Sequence, residues 1–408
     1  MAESTEQTSG GTAADAAAER ADALKRGLEG VVAAETRLSR VEGEIGRLSY
    51  CGYDIMDLVD HCSFEEVIYL LWHLELPTKA QFHEFNAALA VERTLPAGLI
   101  YTMRTLPHTT PPMDALRSCV SLLSVYDPDD PADISPAVNW RRAYRIMSRL
   151  PCIVATFERL RSGHEPVDPD PKVSIAGNFL YLMTGQMPDP EAERAIDVGL
   201  ILHADHGLNA STFAARVAVG TLSDMYSAIT SAVGTLKGPL HGGANQEVIK
   251  MLHEIGFLER VEPYIKERLD NKQKVMGFGH RIYKGNGDPR ANILREWSKR
   301  LGERAGDTLW YRMSRAIEDY VMQEKGLMPN VDFYSASVYH TLALPHDQYT
   351  PIFACSRVAG WIAHIMEQYA DNRLIRPLDA WVGAEARQVV PIDQRHGGRH
   401  DPLPHLAG

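Results

Sequence analysis

Apolar residues recur at helical spacing along most of the chain. Ser63-Phe-Glu-Glu66 has the form of a capping box, in which a Ser and a Glu three residues later satisfy each other's free amides. Val67, Ile68, Leu70, Leu71 and Leu74 then line one helical face until Pro77 stops the run. Val138 to Leu160 reads as one long helix with Pro151 as a kink or break. Ala359 to Tyr369 repeats the helical pattern. The one strand signal is short, around Glu44 to Ile55, where Gly46 and Gly52 suit turns or bulges. No internal repeat stands out. The pattern predicts an all-α chain with a minor β-hairpin near the N-terminus.

Composition narrows the classes. A chain of 408 residues, 45% of them hydrophobic, has ample material for a core in one large domain or several smaller ones. No apolar run reaches the roughly 18 residues of a membrane span. The cysteines at 51, 62, 119, 152 and 355 have neither metal-ligand nor disulfide-framework spacing, which reads as reduced thiols in a cytoplasmic protein. A net charge of −11 argues against a general nucleic-acid role, and any site for an anion must be locally positive. The first 20 or so residues lack aromatics and an apolar signal core, and Glu3, Glu6, Asp15 and Glu19 do not suit a mitochondrial presequence. A disordered tail is expected there, and the His-rich stretch from His396 to His405 is expected to be a second tail.

Four segments carry candidate chemistry. Gly277-Phe-Gly-His280-Arg-Ile-Tyr-Lys284-Gly-Asn-Gly-Asp288-Pro-Arg290 can hold an imidazole and a guanidinium against one small anion. The others are His203-Ala-Asp205-His206, Leu240-His241-Gly-Gly-Ala-Asn245 and Asn330-Val-Asp332-Phe-Tyr-Ser335. Glycines after His241 allow a ligand or a second backbone to come close. Asp332, flanked by Val331 and Phe333, suits either a water-shielded base or a helix N-cap. His203 and His206, three apart, could share a helix face and form a zinc set with His241 and Asp332. Gly277-x-Gly279 is not a dinucleotide fingerprint, lacking a third glycine and the strand–turn–helix setting.

From about Gly27 to the end, these motifs resemble, in order and spacing, the citrate synthase family. The resemblance implies a large helical domain over residues 27–242 and 344–408, a smaller helical domain inserted at 243–343, and a tail at 1–26. It implies condensation of oxaloacetate with acetyl-CoA and hydrolysis of the citryl thioester, without metal or cofactor, since acetyl-CoA is a substrate. Asp332 would be the base, His241 the donor to the enolate oxygen, and His280 the donor to the ketone oxygen. His206, Arg290, Arg357 (in Cys355-Ser-Arg-Val-Ala-Gly360) and Arg376 (in Asn372-Arg-Leu-Ile-Arg-Pro377) would bind oxaloacetate, Arg376 reaching across a homodimer. Planar guanidinium groups suit carboxylates. Lys284 and Lys325 fall where the family places contacts to coenzyme A phosphates, and His203 would pack or orient its neighbours. Two departures are Cys51, where many members carry Arg, and Ala336, where Gly is frequent. A 2-methylcitrate synthase, which uses propionyl-CoA, shares the same catalytic set.

Overall fold

The computed structural model describes residues 25–384 and 386–395. The expected 1–26 tail lies outside them save for its last two residues, and the 396–405 stretch lies wholly outside. The chain divides into two units. One is Ala34–Ile375, and the other joins Met1–Ala33 with Arg376–Gly408. The described part of the second unit holds two short 3-10 turns, Arg26–Leu28 and Ile392–Gln394.

A three-stranded antiparallel sheet opens this unit, in the order β1 (Ser39–Glu42), β2 (Arg47–Tyr50), β3 (Tyr53–Asp54). Ser39 pairs with Tyr50, and Ser49 with Asp54. The strand signal covered β2 and β3 but missed β1, which carries a single apolar residue, Val41, over its four positions. Cys51 (φ 48°) and Gly52 (φ 92°) form the two-residue turn between β2 and β3, with the positive φ at both positions that such hairpins need. The Cys51 thiol faces the carbonyls of Leu38 and Leu70 at 3.7 and 3.5 Å. Burial and nearby carboxylates push its pKa up to about 12, so it is an inert packed thiol where an arginine was the comparison.

Helices follow: α1 (Ile55–His61), α2 (Phe64–His73), α3 (Lys79–Val91), α4 (Ala97–Thr105), α5 (Pro112–Leu123), α6 (Pro136–Arg161), α7 (Ile175–Thr184), α8 (Pro190–His203), α9 (Ala210–Gly220) and α10 (Met225–Leu236). Then come α11 (Ala244–Ile255), α12 (Val261–Asp270), α13 (Pro289–Ala305), α14 (Leu309–Lys325), α15 (Val331–Thr341) and α16 (Tyr349–Ala370). The Ser63–Glu66 capping box forms as expected. The helix it opens ends at His73 rather than at Pro77, because Leu74 turns left-handed (φ 65°) and caps it. Pro151 neither breaks α6 nor ends it, and the helix continues to Arg161. Ala359–Tyr369 lies within the longer α16.

Helix α16 is buried along nearly its whole length. It packs against α2, α6, α8, α9 and α10, as a helix apolar on all sides must. Trp361 on it has no exposed surface, and truncation to Ala would cost about 3–5 kcal/mol. A second group forms around α15, on which α11, α13 and α14 pack. Ala336 is fully buried there, where Ala holds a helix better than Gly by about 1 kcal/mol. Among the described residues no helix is long and apolar enough to cross a membrane.

Candidate active site

Backbone pairing draws two of the four motifs together. Phe278 bridges Pro329, the Gly279 amide donates to Met328 O (3.0 Å), and the Asn330 amide donates to Gly277 O (2.9 Å). Gly277 has φ 82°, and a Cβ there would strike Phe333 and Val248, so only glycine fits. The Asn330 side chain donates to Gly279 O (3.0 Å) and accepts from the Asp332 amide (3.1 Å). Asn330 is therefore the N-cap of α15. This removes the N-cap reading of Asp332, whose carboxylate is left over for another task.

Asp332 sits in the first turn of α15. Its Oδ1 is buried without a hydrogen-bond partner. Desolvation raises its pKa to about 7, helped by the Asp288 charge and opposed by Arg290 and Arg357. A carboxylate so placed is a base tuned near neutral pH.

Backbone amides set the tautomers of two of the histidines. His280 Nδ1 accepts from the amides of Ile282 (3.0 Å) and Tyr283 (3.2 Å). Its proton must then be on Nε2, which becomes the outward donor. Burial and Arg290 lower its pKa to about 4, so the ring is neutral at working pH. His241 sits in the turn between α10 and α11. Its Nε2 lies 2.7 Å from Ser211 Oγ and accepts from the Ser211 amide (3.3 Å). Trp361 Nε1 donates to the same hydroxyl (3.1 Å). With Nε2 accepting, Nδ1–H is the free donor of His241, and burial beside Arg357 holds its pKa near 4. His206, just beyond α8, places Nε2 3.2 Å from the Tyr283 hydroxyl and its ring 5.2 Å from that of His280. Burial, with Arg290, His280 and Arg357 adding to it, holds His206 well below its usual pKa.

Two arginines lie in this group, each already tied to protein. Arg290 is buried and forked onto Asp288, Nε to Oδ1 (2.9 Å) and Nη2 to Oδ2 (2.8 Å). Asp288 also caps α13 and accepts from the Val331 amide (3.1 Å), so one carboxylate links the starts of α13 and α15. Arg357 on α16 donates from Nε to His203 O (2.6 Å) and stacks 4.6 Å above the Phe353 ring. Desolvation brings its pKa down to about 10, with Asp205 opposing. Its Nη groups make no hydrogen bond among the described residues, which leaves its fork open to a carboxylate.

Several supports were not legible beforehand. Phe353, one turn before Arg357, contacts three site groups at once, its ring centroid being 4.8 Å from that of His203 and 6.5 Å from that of His241. Arg at one position and an aromatic four before it on a helix is the only signal that hinted at it. Asp288, Ser211, Trp361 and Tyr283 were likewise unassigned, although an Asp before Pro is a common helix start. His203 packs as expected, its Nδ1 2.7 Å from Gly199 O. The zinc set of His203, His206, His241 and Asp332 does not converge. The group of three or more possible ligands that does so among the described residues shares no member with it.

Lys284 and Lys325 are exposed, the latter at the end of α14. Arg376 is exposed and belongs to the unit of the chain ends.

A helical fold that gathers neutral imidazole donors, buried guanidinium groups and a carboxylate of raised basicity suits proton abstraction beside a carbonyl. The family model described as citrate synthase, C-terminal domain, matches residues 27–378. The chain is 53% identical to citrate synthase 2 of Bacillus subtilis over 91% of its length and 99% of that protein. It is 43% identical to 2-methylcitrate synthase 1 of Corynebacterium glutamicum over 91% and 98%. A solved ternary complex of a Thermoplasma acidophilum citrate synthase with carboxymethyl coenzyme A and oxaloacetate superposes with a TM-score of 0.86 at 33% identity, covering 91% of this chain and 99% of that one. The chain belongs to the citrate synthase family, transferases that condense acetyl-CoA with oxaloacetate.

Proposed function

We propose that the chain condenses oxaloacetate with acetyl-CoA and hydrolyses the citryl thioester to citrate and coenzyme A, as in the tricarboxylic acid cycle. The observation that carries the residue assignments is the unpartnered Asp332 carboxylate, raised to about 7 and acted on by Arg290 and Arg357, the same two arginines whose charges act on His280 and His241.

Oxaloacetate binds to His206, Arg290, Arg357 and, from the partner of a homodimer, Arg376. Asp332 takes a methyl proton from acetyl-CoA. His241 donates from Nδ1 to the thioester oxygen as it becomes an enolate. The carbanion attacks the ketone carbon, and His280 donates a hydrogen bond from Nε2 to the oxygen that becomes an alkoxide; the proton that oxygen finally gains is balanced by the one Asp332 took from the methyl group, so His280 ends neutral. Neutral rings can still do this work, because a preorganised N–H in a site shut off from water stabilises developing negative charge without a buried charge of its own. Water then cleaves the thioester. Lys284 and Lys325 are proposed contacts for coenzyme A phosphates. No metal or cofactor takes part in this scheme.

Residues 243–343 are read as a smaller domain that closes over oxaloacetate and builds the acetyl-CoA site. The packing of α11, α13 and α14 around α15 supports this division. Free thiols at all five cysteines support a cytoplasmic setting.

Propionyl-CoA in place of acetyl-CoA is the second reading, favoured by the 43% identity to a 2-methylcitrate synthase. One methylene is worth about 1–3 kcal/mol in an apolar pocket. The test is free-thiol release from each thioester with and without oxaloacetate. Oxaloacetate-dependent release with a higher kcat/KM for acetyl-CoA is expected. A propionyl preference selects the second reading, and release that ignores oxaloacetate overturns both.

A further inference from the structure

A second set of histidines converges away from the reacting groups. His253 lies in the last turn of α11 and His340 in the last turn of α15. His346 opens the 3-10 turn His346–Gln348 that leads into α16. Nε2 of His346 is 3.3 Å from Nε2 of His253 and 3.2 Å from Nδ1 of His340. All three ligand atoms lie within 4.8 Å of one another. Among the described residues this is the one group of three or more His, Cys, Asp or Glu side chains that converges in this way.

The spacing has a geometric meaning. Two imidazole nitrogens bound at about 2.05 Å to one tetrahedral zinc stand roughly 3.3 Å apart. The two edges at His346 match, and the third, between His253 and His340, lies within 4.8 Å. Three hydrogen-bonded neutral rings would also satisfy these distances, with His346 accepting from both neighbours, so the surroundings have to decide. Trp310 lies against two of the rings, 4.7 Å from His253 and 4.1 Å from His340, and fixes their positions. Asp307 and Asp347 bring negative charge to His340 and His346. Asp347 is shared, since it is also forked onto Arg161. His253 is exposed, which leaves an entry path for an ion.

We propose that His253, His340 and His346 bind one divalent transition-metal cation of the zinc type through three imidazole nitrogens, with the fourth position open to water. Such a donor set suits zinc and its neighbours in the first transition row. The bound ion ties the turn at 346–348 to the ends of α11 and α15. Its consequence rests on the domain reading above: His253 and His340 fall inside 243–343 and His346 outside, so the ion would span the boundary of the moving part. Ala343, between them, is held at φ 56°, a strained setting for a residue with a side chain.

The test measures zinc bound per full-length chain by competition with a chromophoric chelator, in the wild type, His253→Gln and His346→Gln. The wild type is expected to hold one zinc more than either variant. Zinc held by the His396–His405 stretch is common to all three and cancels. His253→Gln changes an exposed residue, and wild-type thiol release by it separates loss of metal from loss of fold. Zinc should also change tryptophan emission in the wild type, and that change should shrink in Trp310→Phe. Equal stoichiometry and affinity in all three proteins overturns the site, whatever the turnover.

Discussion

Two groups of histidines in this chain differ in where their ring nitrogens point. In the active-site group, His280 and His241 each spend one nitrogen as an acceptor inside the protein, on backbone amides or Ser211, and keep the other as a donor. In the group of His253, His340 and His346, the nitrogens point at one another. The same side chain is a hydrogen-bond donor in the first case and a metal ligand in the second. The partner of the second nitrogen decides which role it plays.

That contrast can be broken in order of effect. His280→Ala and His241→Ala each remove a donor to a developing oxyanion and should lower kcat by about 10²–10³-fold, read as thiol release at saturating substrates. Arg357→Lys replaces an open fork by a point charge and should raise KM for oxaloacetate by about 10-fold or more, with a smaller change in kcat. Ser211→Ala removes the hydroxyl partner of His241 Nε2 and loosens its tautomer. About a 10-fold loss of kcat is expected, with oxaloacetate affinity unchanged by calorimetry. His253→Gln should alter turnover by less than about twofold, because it touches only the second group.

The acid limb of the pH profile sharpens the account further. Asp332 must be ionised to act, so kcat/KM should fall about tenfold per pH unit below about 7 and level off above it. His241 and His280, near 4, should add no break in that range. Stability should run the other way. The folded pKa of Asp332 lies above its ordinary value of 3.8, so between about 4 and 7 the native state holds more protons than the unfolded one. Its contribution to stability is therefore lost as pH rises through that window. Asp332→Asn should raise Tm at pH 8 and leave it unchanged near pH 4, measured by calorimetry.

The helical character and the motif residues could be read from the sequence because they depend on local signals: the Ser63–Glu66 box, the apolar spacing of α6 and α16, the glycines around His280. What escaped depends on tertiary neighbours. Strand β1 has too few apolar positions to show a period, and Leu74 ends α2 through a left-handed turn that no residue preference announces. The N-cap of α15 fell to Asn330, two residues before the aspartate that seemed equally suited. Arg290 was picked out from its motif, but its counter-ion Asp288 was not, because the fork exists only once the Asp-Pro-Arg turn is folded. The trio of His253, His340 and His346 comes from three segments, and nothing in its spacing resembles a ligand motif.

The central claim is that Asp332 is the base and does not itself bind oxaloacetate. Asp332→Asn tests it most directly, with oxaloacetate affinity by calorimetry and thiol release from acetyl-CoA measured on the same preparation. Affinity should stay within about threefold and kcat should fall by about 10³-fold, the scale of a lost general base. Turnover within about tenfold of the wild type, with oxaloacetate still bound, would contradict it.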